Sequence, residues 1–394
     1  MAPPFSAPLR LGLTCYPSVG GSGILATALG VELARRGHEV HFVSYERPVR
    51  LPDHPRIHFH PVAINDYELF KYPDYTLPLS VKLAEVSRAH RLDLLHVHYA
   101  VPHATAAILA RAMLPPEIAP RVVTTLHGTD TTLLGRDPGY GPAIRHALEQ
   151  SDAVTAVSAF LAEATHRLLP TTRPPEVIHN FFVPAVPTRS REEVRAGLGL
   201  APGEFLLLHA SNLRPLKRVD LLLQTLARLP ADLPCRLLVL AGGDWQPHME
   251  LASSLGVADR LIVLPGVQEI ENYLAAADLT LYTSDTESFC LGVLEGMFFG
   301  CPSVSTGVGG VPEVVADGRT GLLAPSGDAD ALALAVQTLL RDPELRRTMG
   351  ERARARAEAL FSAGKIVPRY EALYRRLVQG SSHGRWGPPP LPSR

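Results

Sequence analysis

The stretch DLTLYTSDTESFCLGVLEGM, residues 278–297, decides how the chain is read. DLTLYTS is a short apolar run of strand type, and after Cys290 the spacing in LGVLEGM becomes helical. Strand, polar loop and helix make the repeating unit of a parallel sheet, whose ligands bind where strand gives way to loop. Glu287 and Glu295 stand at the ends of ESFCLGVLE, which is otherwise apolar, small or a thiol. On one continuous helix, eight steps of ~1.5 Å would set their backbones about 12 Å apart. Paired carboxylates of glycoside hydrolases stand only about 5 to 9.5 Å apart, so this spacing suits two contacts along one extended ligand. Glu287 belongs to the loop before the helix. An acid accepting from a vicinal diol can hold a ribose or a sugar ring. A diphosphate between two such contacts would meet unpaired N–H groups and the positive dipole end near Cys290. Taken alone, the two acids read equally well as a helix-surface carboxylate and an N-terminal charge.

The same unit recurs outward in both directions. LRLGLTC (9–15), EVHFVS, LDLLHVH, RVVTTLH, AVTAVS and EVIHN are strand candidates, with helical patterns in ILATALGVELARRG, VKLAEVSRAHR and ATAAILARAML. Residues 181–203, rich in Pro and charge, read as an interdomain connection. A second series follows: EFLLLHAS, a helix at 218–228, CRLLVLAG, a helix near 247–255, RLIVLPG, the 278–297 unit, PSVST, GLLAP and helices from 328 onward. The expected fold is α/β, with two doubly wound Rossmann-like domains facing across a cleft. We expect an N-terminal domain at 1–182 and a C-terminal domain at 183–363. A last helix at about 364–379 is expected to pack back on the first domain, followed by a disordered tail at 380–394.

A length of 394 residues suits two domains. With 46% hydrophobic residues, 20% charged residues and a net charge of -1, the chain has no bias toward polyanions, so no nucleic-acid partner is expected. The arginine-rich run at 346–358 alternates with Ala and Glu as a solvated helix face does. No window approaches the ~18 apolar residues of a membrane span and MAPPFSAPLR lacks a signal-type apolar region, so a cytoplasmic protein without a membrane partner is expected. Cys15, Cys235, Cys290 and Cys301 form no C-x-x-C pair, which argues against a disulfide framework or a thiolate metal site. Lys occurs only at 71, 82, 217 and 365, which singles out Lys217.

Lys217 stands with Asn212 and Arg214 in SNLRPLKR, just after strand EFLLLHA. Cations at a helix start are disfavoured by the dipole unless an anion joins them; a solvated first turn is the alternative. GVGGVPE (307–313) is a glycine loop whose backbone can approach a ligand, and GGSG (20–23) can form an anion-binding nest in the first domain. His127 in TLHGTD follows a strand and faces the cleft. His96 and His98 lack the carboxylate or Cys that would complete a metal set, and Asp328 with Asp330 reads as a helix N-cap.

In order along the chain, TCYPSVGGSG, HVHYAVPHA, TTLHGTD, SNLRPLKRV, ESFCLGVLEGM and GVGGVPEVV resemble the retaining family 4 glycosyltransferases of the GT-B fold. TCYPSVGGSG, HVHYAVPHA and LHGTDTTLLGRDP are similar to the branch that opens bacillithiol biosynthesis by forming GlcNAc-malate, whereas E-x7-E marks the whole family. The resemblance covers roughly residues 9–379. It implies transfer of N-acetylglucosamine from UDP-GlcNAc to the hydroxyl of L-malate, with no metal and no cofactor. Glu295 would hold the ribose of UDP. Glu287 and the backbone at Phe289, Cys290 and Leu291 would meet the sugar and diphosphate, with Gly23 and Asn212 also on the donor side. Arg214 and Lys217 would neutralise the leaving phosphates, and His127 would sit at the transferred sugar. By the same resemblance, 1–182 would be the acceptor-binding domain and 183–363 the nucleotide-sugar-binding domain, with the acceptor near Gly21, Ser22, Tyr99, Thr129 and Arg145. Where the family commonly has Gly this chain has Cys290, where it has small residues this chain has Phe298 and Phe299, and LAGGDWQP replaces the usual G-D-G-P turn; these departures bear on donor affinity. A related transferase acting on another small acceptor such as inositol phosphate, a non-catalytic nucleotide-sugar-binding protein and a sugar epimerase are the other readings. The sequence allows a homodimer without fixing the oligomeric state.

Overall fold

The computed structural model describes residues 7–17, 20–64 and 75–380. Its first parallel sheet contains β1 (Arg10–Thr14), β2 (Glu39–Ser44), β3 (Ile57–Pro61), β4 (Leu94–His98), β5 (Arg121–Leu126), β6 (Ala153–Ala156) and β7 (Glu176–Val177), in the order β3-β2-β1-β4-β5-β6-β7. The second contains β8 (Phe205–Ser211), β9 (Cys235–Ala241), β10 (Leu261–Pro265), β11 (Leu279–Tyr282), β12 (Ser303–Thr306) and β13 (Gly321–Ala324), in the order β10-β9-β8-β11-β12-β13. Both orders reverse direction beside their first strand, at β1/β4 and at β8/β11. Such a reversal opens a crevice at the carboxyl ends of the strands.

The inner strands are apolar on both faces because helices cover both. Leu207, Leu237, Val239, Leu279, Leu281 and Val304 belong to one core on the second sheet, while Leu206, Leu208, Leu238 and Leu240 belong to another. The last helix, Ala363–Gln379, returns to the first sheet, where Ile366, Val367, Tyr370, Leu373 and Tyr374 join the core of Leu11, Leu13 and Leu29. There the Tyr374 hydroxyl and His96 Nδ1 lie 2.7 Å apart. The chain crosses between the sheets twice, side by side, with Phe182 N donating to Phe361 O at 3.3 Å. Phe298, one of the family departures, has its ring 5.7 Å from that of Phe182 at this crossing.

Several elements depart from the expectations. The 181–203 connection contains the helix Arg191–Gly197, started by a reciprocal capping box between Ser190 and Glu193. Strand β3 and the helices Tyr140–Gln150, Ala159–Leu168 and Ile270–Ala276 were not anticipated from local pattern. GGSG is a helix start: the helix Gly21–Arg35 begins inside it. Asp328 is the expected N-cap, accepting from Ala331 N at 2.8 Å. The expected disordered tail lies outside the described residues from 381 onward. No helix among the described residues is long and apolar enough to cross a membrane.

Candidate active site

The site is built from strand ends. After β11 the loop delivers Glu287, and Cys290 then takes a left-handed conformation (φ 70°) as N-cap of the helix Leu291–Phe298. A Cβ is disfavoured at positive φ, so this position would favour glycine. Glu287 Oε1 accepts from Lys217 Nζ at 2.5 Å and from Ser284 Oγ at 2.7 Å. Both members of the ion pair are largely buried, with side chains 17% and 10% exposed. Burial pulls the Lys217 ammonium down, but the Glu287 charge and hydrogen bond outweigh it and hold the pKa above the ordinary lysine value. Sequence reasoning gave Lys217 and Glu287 separate tasks; the structure couples them. Lys217 lies in the short turn Pro215–Lys217, and Arg214 just before it is exposed.

The glycine loop after β12 packs against protein. A Cβ on Gly309 would lie 1.9 Å from Glu287 O, and one on Gly310 would lie 2.3 Å from Ser288 O. Its close approach is therefore to the Glu287–Ser288 backbone, which it supports, with Gly310 N donating to Glu287 O at 2.9 Å. Gly243 plays a similar part beneath Asn212, where a Cβ would lie 2.6 Å from Asn212 O.

On the facing half, His127 follows β5 and Tyr99 follows β4. His127 Nε2 and His98 Nδ1 are 2.8 Å apart, and the His127 ring lies 5.0 Å from that of Tyr99. Burial, reinforced by His103, lowers the His127 pKa to about 3, so this imidazole is neutral near pH 7. His127 Nδ1 has no partner among the described residues. The Tyr99 hydroxyl donates to Ser22 Oγ at 2.8 Å, tying the β4 end to the Gly21–Ser22–Gly23 helix start. Asp130, which the sequence reading passed over, accepts from Ala100 N at 3.2 Å and Gly128 N at 3.1 Å and so locks these two loops together. Burial pushes its carboxyl up to about 6.

The two halves meet in one crevice. A Cβ on Gly128 would lie 1.9 Å from Ser288 Oγ, and one on Gly21 would lie 2.9 Å from Leu291 Cδ1. Tyr99, raised above the ordinary phenol range chiefly by burial, feels the Arg214 charge from the other half. Arg50, beyond β2, lies 3.3 Å from Glu271 Oε1 and donates to Gln268 O. Glu295 shares this field: burial pushes its carboxyl up to about 7, with Arg50 opposing the rise and Glu271 adding to it. Glu313 spans the halves further along, accepting from Ala159 N and Phe160 N at the start of the helix Ala159–Leu168, at 2.8 and 2.9 Å. Arg50, Glu271 and the role of Glu313 carry no local sequence signal.

The expected residues divide accordingly. Gly21, Ser22, Tyr99 and His127 come together on one wall, with Gly23 and Thr129 adjacent in sequence. Asn212, Lys217 and Glu287 follow the opposing strands, Cys290, Leu291 and Glu295 belong to the helix Leu291–Phe298 and its cap, and Arg214 lies toward Tyr99. The Phe289 ring is buried in the core beside Phe361, 5.6 Å between centroids. Arg145 is not gathered with the others. It stands 53% exposed on the helix Tyr140–Gln150, and its partner among the described residues is Glu149 at 4.0 Å.

Comparison with known proteins agrees with this geometry. Residues 19–186 match the model of Glycosyltransferase Family 4, and residues 190–356 match that of Glycosyl transferases group 1. The chain is 42% identical over 380 residues to the N-acetyl-alpha-D-glucosaminyl L-malate synthase of Bacillus anthracis, covering 96% of this chain and 99% of that one. It is 30% identical over 413 residues to the D-inositol 3-phosphate glycosyltransferase of Kineococcus radiotolerans, covering 94% and 93%. Among solved structures, sucrose-phosphate synthase from Thermosynechococcus elongatus shares the fold at a TM-score of 0.78 and 24% identity, covering 94% of this chain and 100% of that one. Each half matches its own model and one relative aligns from end to end, so the chain belongs to family 4 of the GT-B glycosyltransferases.

Proposed function

We propose that this glycosyltransferase moves N-acetylglucosamine from UDP-GlcNAc to the 2-hydroxyl of L-malate, with retention at the anomeric carbon. The observation that carries the reading is the close approach of Gly128, beside His127, to the Ser288 side chain, beside Glu287. The choice of sugar and acceptor rests on the end-to-end relative.

In this reading the bond from the anomeric carbon to the diphosphate breaks while the malate oxygen bonds to the same face, and the departing phosphate takes the hydroxyl proton. Arg214, Lys217 and the start of the helix Leu291–Phe298 stabilise the charge that develops on the leaving group. These side-chain cations take the place of a metal, so turnover is expected to survive EDTA. Ionised Glu295 accepts from the ribose diol. Glu287, already held by Lys217 and Ser284, orients the sugar, and neutral His127 offers Nδ1 to a sugar hydroxyl. Closure of the halves holds the reactants together and excludes water.

The test is UDP release and product analysis from UDP-GlcNAc with L-malate, D-inositol 3-phosphate or no acceptor. GlcNAc-malate formed with malate alone is the expected result. Turnover with inositol phosphate alone would move the acceptor assignment to the other relative's substrate. UDP binding without release would make the chain a binding protein, and donor conversion without acceptor would make it an epimerase.

A further inference from the structure

Four histidines gather on one flank of the first sheet, outside the cleft. His58 and His60 alternate with Ile57 and Phe59 along β3, so both point to one face. The β2–β3 register sets His41 directly beside His58. The helix Thr76–His90 ends over this face and adds His90. The His41 ring lies 4.4 Å from that of His90, 4.7 Å from that of His58 and 5.2 Å from that of His60. His41 Nδ1 and His60 Nε2 are 3.0 Å apart.

We propose that His41, His60 and His90 form a binding site for one divalent transition cation of the zinc class, with His58 at its edge. One ring nitrogen from each of the three lies within 4.8 Å of the other two. A tetrahedral centre with metal–nitrogen bonds of about 2.0 to 2.1 Å holds its ligand atoms about 3.3 to 3.4 Å apart. The span already observed closes to that size by side-chain rotation, since His90 is exposed, His60 half-buried and only His41 fully buried. Imidazole is the preferred ligand for zinc, nickel and copper ions.

The chemistry of the donors agrees. Burial, helped by His90, His58 and His60, lowers His41 to about 3, and burial together with His90 and His58 lowers His60 to about 4. Both rings are therefore neutral near pH 7 and carry the lone pairs that a metal requires. His58, at the edge of the group, is held by Glu39 Oε2 at 3.1 Å. Lys82 and Glu85 are the other charges that His60 feels. The crossover helix runs against the strands, so its last residue sits at the end of the sheet opposite the cleft. A cation here would staple β2, the edge strand β3 and the helix Thr76–His90, with a structural effect and no part in group transfer.

The experiment uses the full chain stripped with EDTA, dialysed and titrated with Co²⁺. One equivalent should bind with the intense visible absorption of a four-coordinate, nitrogen-ligated centre, and Zn²⁺ should displace it. The thermal midpoint should be higher in Zn²⁺ than in EDTA. His60→Ala and His90→Ala should each weaken Co²⁺ binding by more than the about 10- to 100-fold that follows loss of a mere supporting group. His90 is exposed, so that variant keeps the fold even if the His60 one does not. Transferase turnover per folded molecule should be the same with and without EDTA. Pale six-coordinate Co²⁺ bound equally by the wild type and by His90→Ala would overturn the proposal. So would an EDTA-induced loss of turnover that persists in His90→Ala, because it would place the ion elsewhere.

Discussion

Lys217 Nζ and Glu287 Oε1 lie 2.5 Å apart at the carboxyl ends of neighbouring strands, and 70 residues of chain separate them. Their pairing holds a cation and an anion ready in a largely dry position, where neither charge can be removed without stranding the other. A diphosphate would meet an ammonium that is already oriented and whose proton is secured by the carboxylate.

Lys217→Ala should cut turnover about 10²- to 10³-fold, the loss typical of a preorganised electrostatic donor. It should also destabilise the fold by about 3 kcal/mol, because Glu287 would remain buried without its partner. Adding Glu287→Gln should restore much of the stability and none of the turnover, measured by denaturant unfolding and UDP release. Arg214→Ala, at an exposed position, should lose turnover to a similar degree with little change in stability. Near-normal turnover in both alanine variants would show that the leaving phosphates are not held there.

Gly128→Ala tests closure. The backbone at φ +118° is unfavourable for any side chain, at a cost of about 1 to 3 kcal/mol, and the new methyl would occupy the place of Ser288 Oγ. The expected result is a fall in kcat/KM with the affinity for UDP alone unchanged by calorimetry, since the proposed reading gives Gly128 no contact with UDP. Equal weakening of UDP binding would mean that the halves are not independent in this way.

Glu295 supplies a pH signature. With its folded pKa raised to about 7, the ionised form is gained as pH rises through that value, so KM for the donor should fall there if Glu295 holds the ribose as proposed. Arg50→Gln removes the cation that opposes the rise, and the KM midpoint should move to higher pH. The stability sign is opposite. Between the ordinary glutamate value of about 4.3 and about 7, the folded protein keeps a proton that the unfolded chain has released, so stability falls as pH rises through this window. Glu295→Gln should flatten that slope in pH-dependent unfolding.

Glu313 gives the reverse case. Burial alone would raise its carboxyl, but His179 and the Phe160 and Ala159 N–H groups outweigh it and hold the pKa below the ordinary value. Its stabilisation is complete above about 4.3 and is lost as pH falls through the lowered folded value. Glu313→Ala should cost about 0.5 to 2 kcal/mol, as loss of a helix cap does, and should flatten the acid limb of the stability curve. An unchanged acid limb would show that the contact contributes nothing in solution.

Local pattern in the chain was enough to place most of the strands, because a buried strand between helices must be apolar along its own length. It also put His127, Lys217 and Glu287 just after strands, where a parallel sheet binds its ligands, and Glu295 on the helix that follows Glu287. It missed the helix at 191–197, masked by the Pro-rich residues around it, and β3, whose His58 and His60 read as polar until β2 and a helix were laid beside them. Tertiary packing alone decided that Lys217 pairs with Glu287, that the GVGG loop supports the Glu287 backbone, that Arg50 and Glu271 share the field of Glu295, and that Arg145 stays in solvent. Periodicity records which face of an element is buried, but it carries no information about which distant charge that face will meet, because the meeting is set by the strand order within each sheet and by how the two halves face each other.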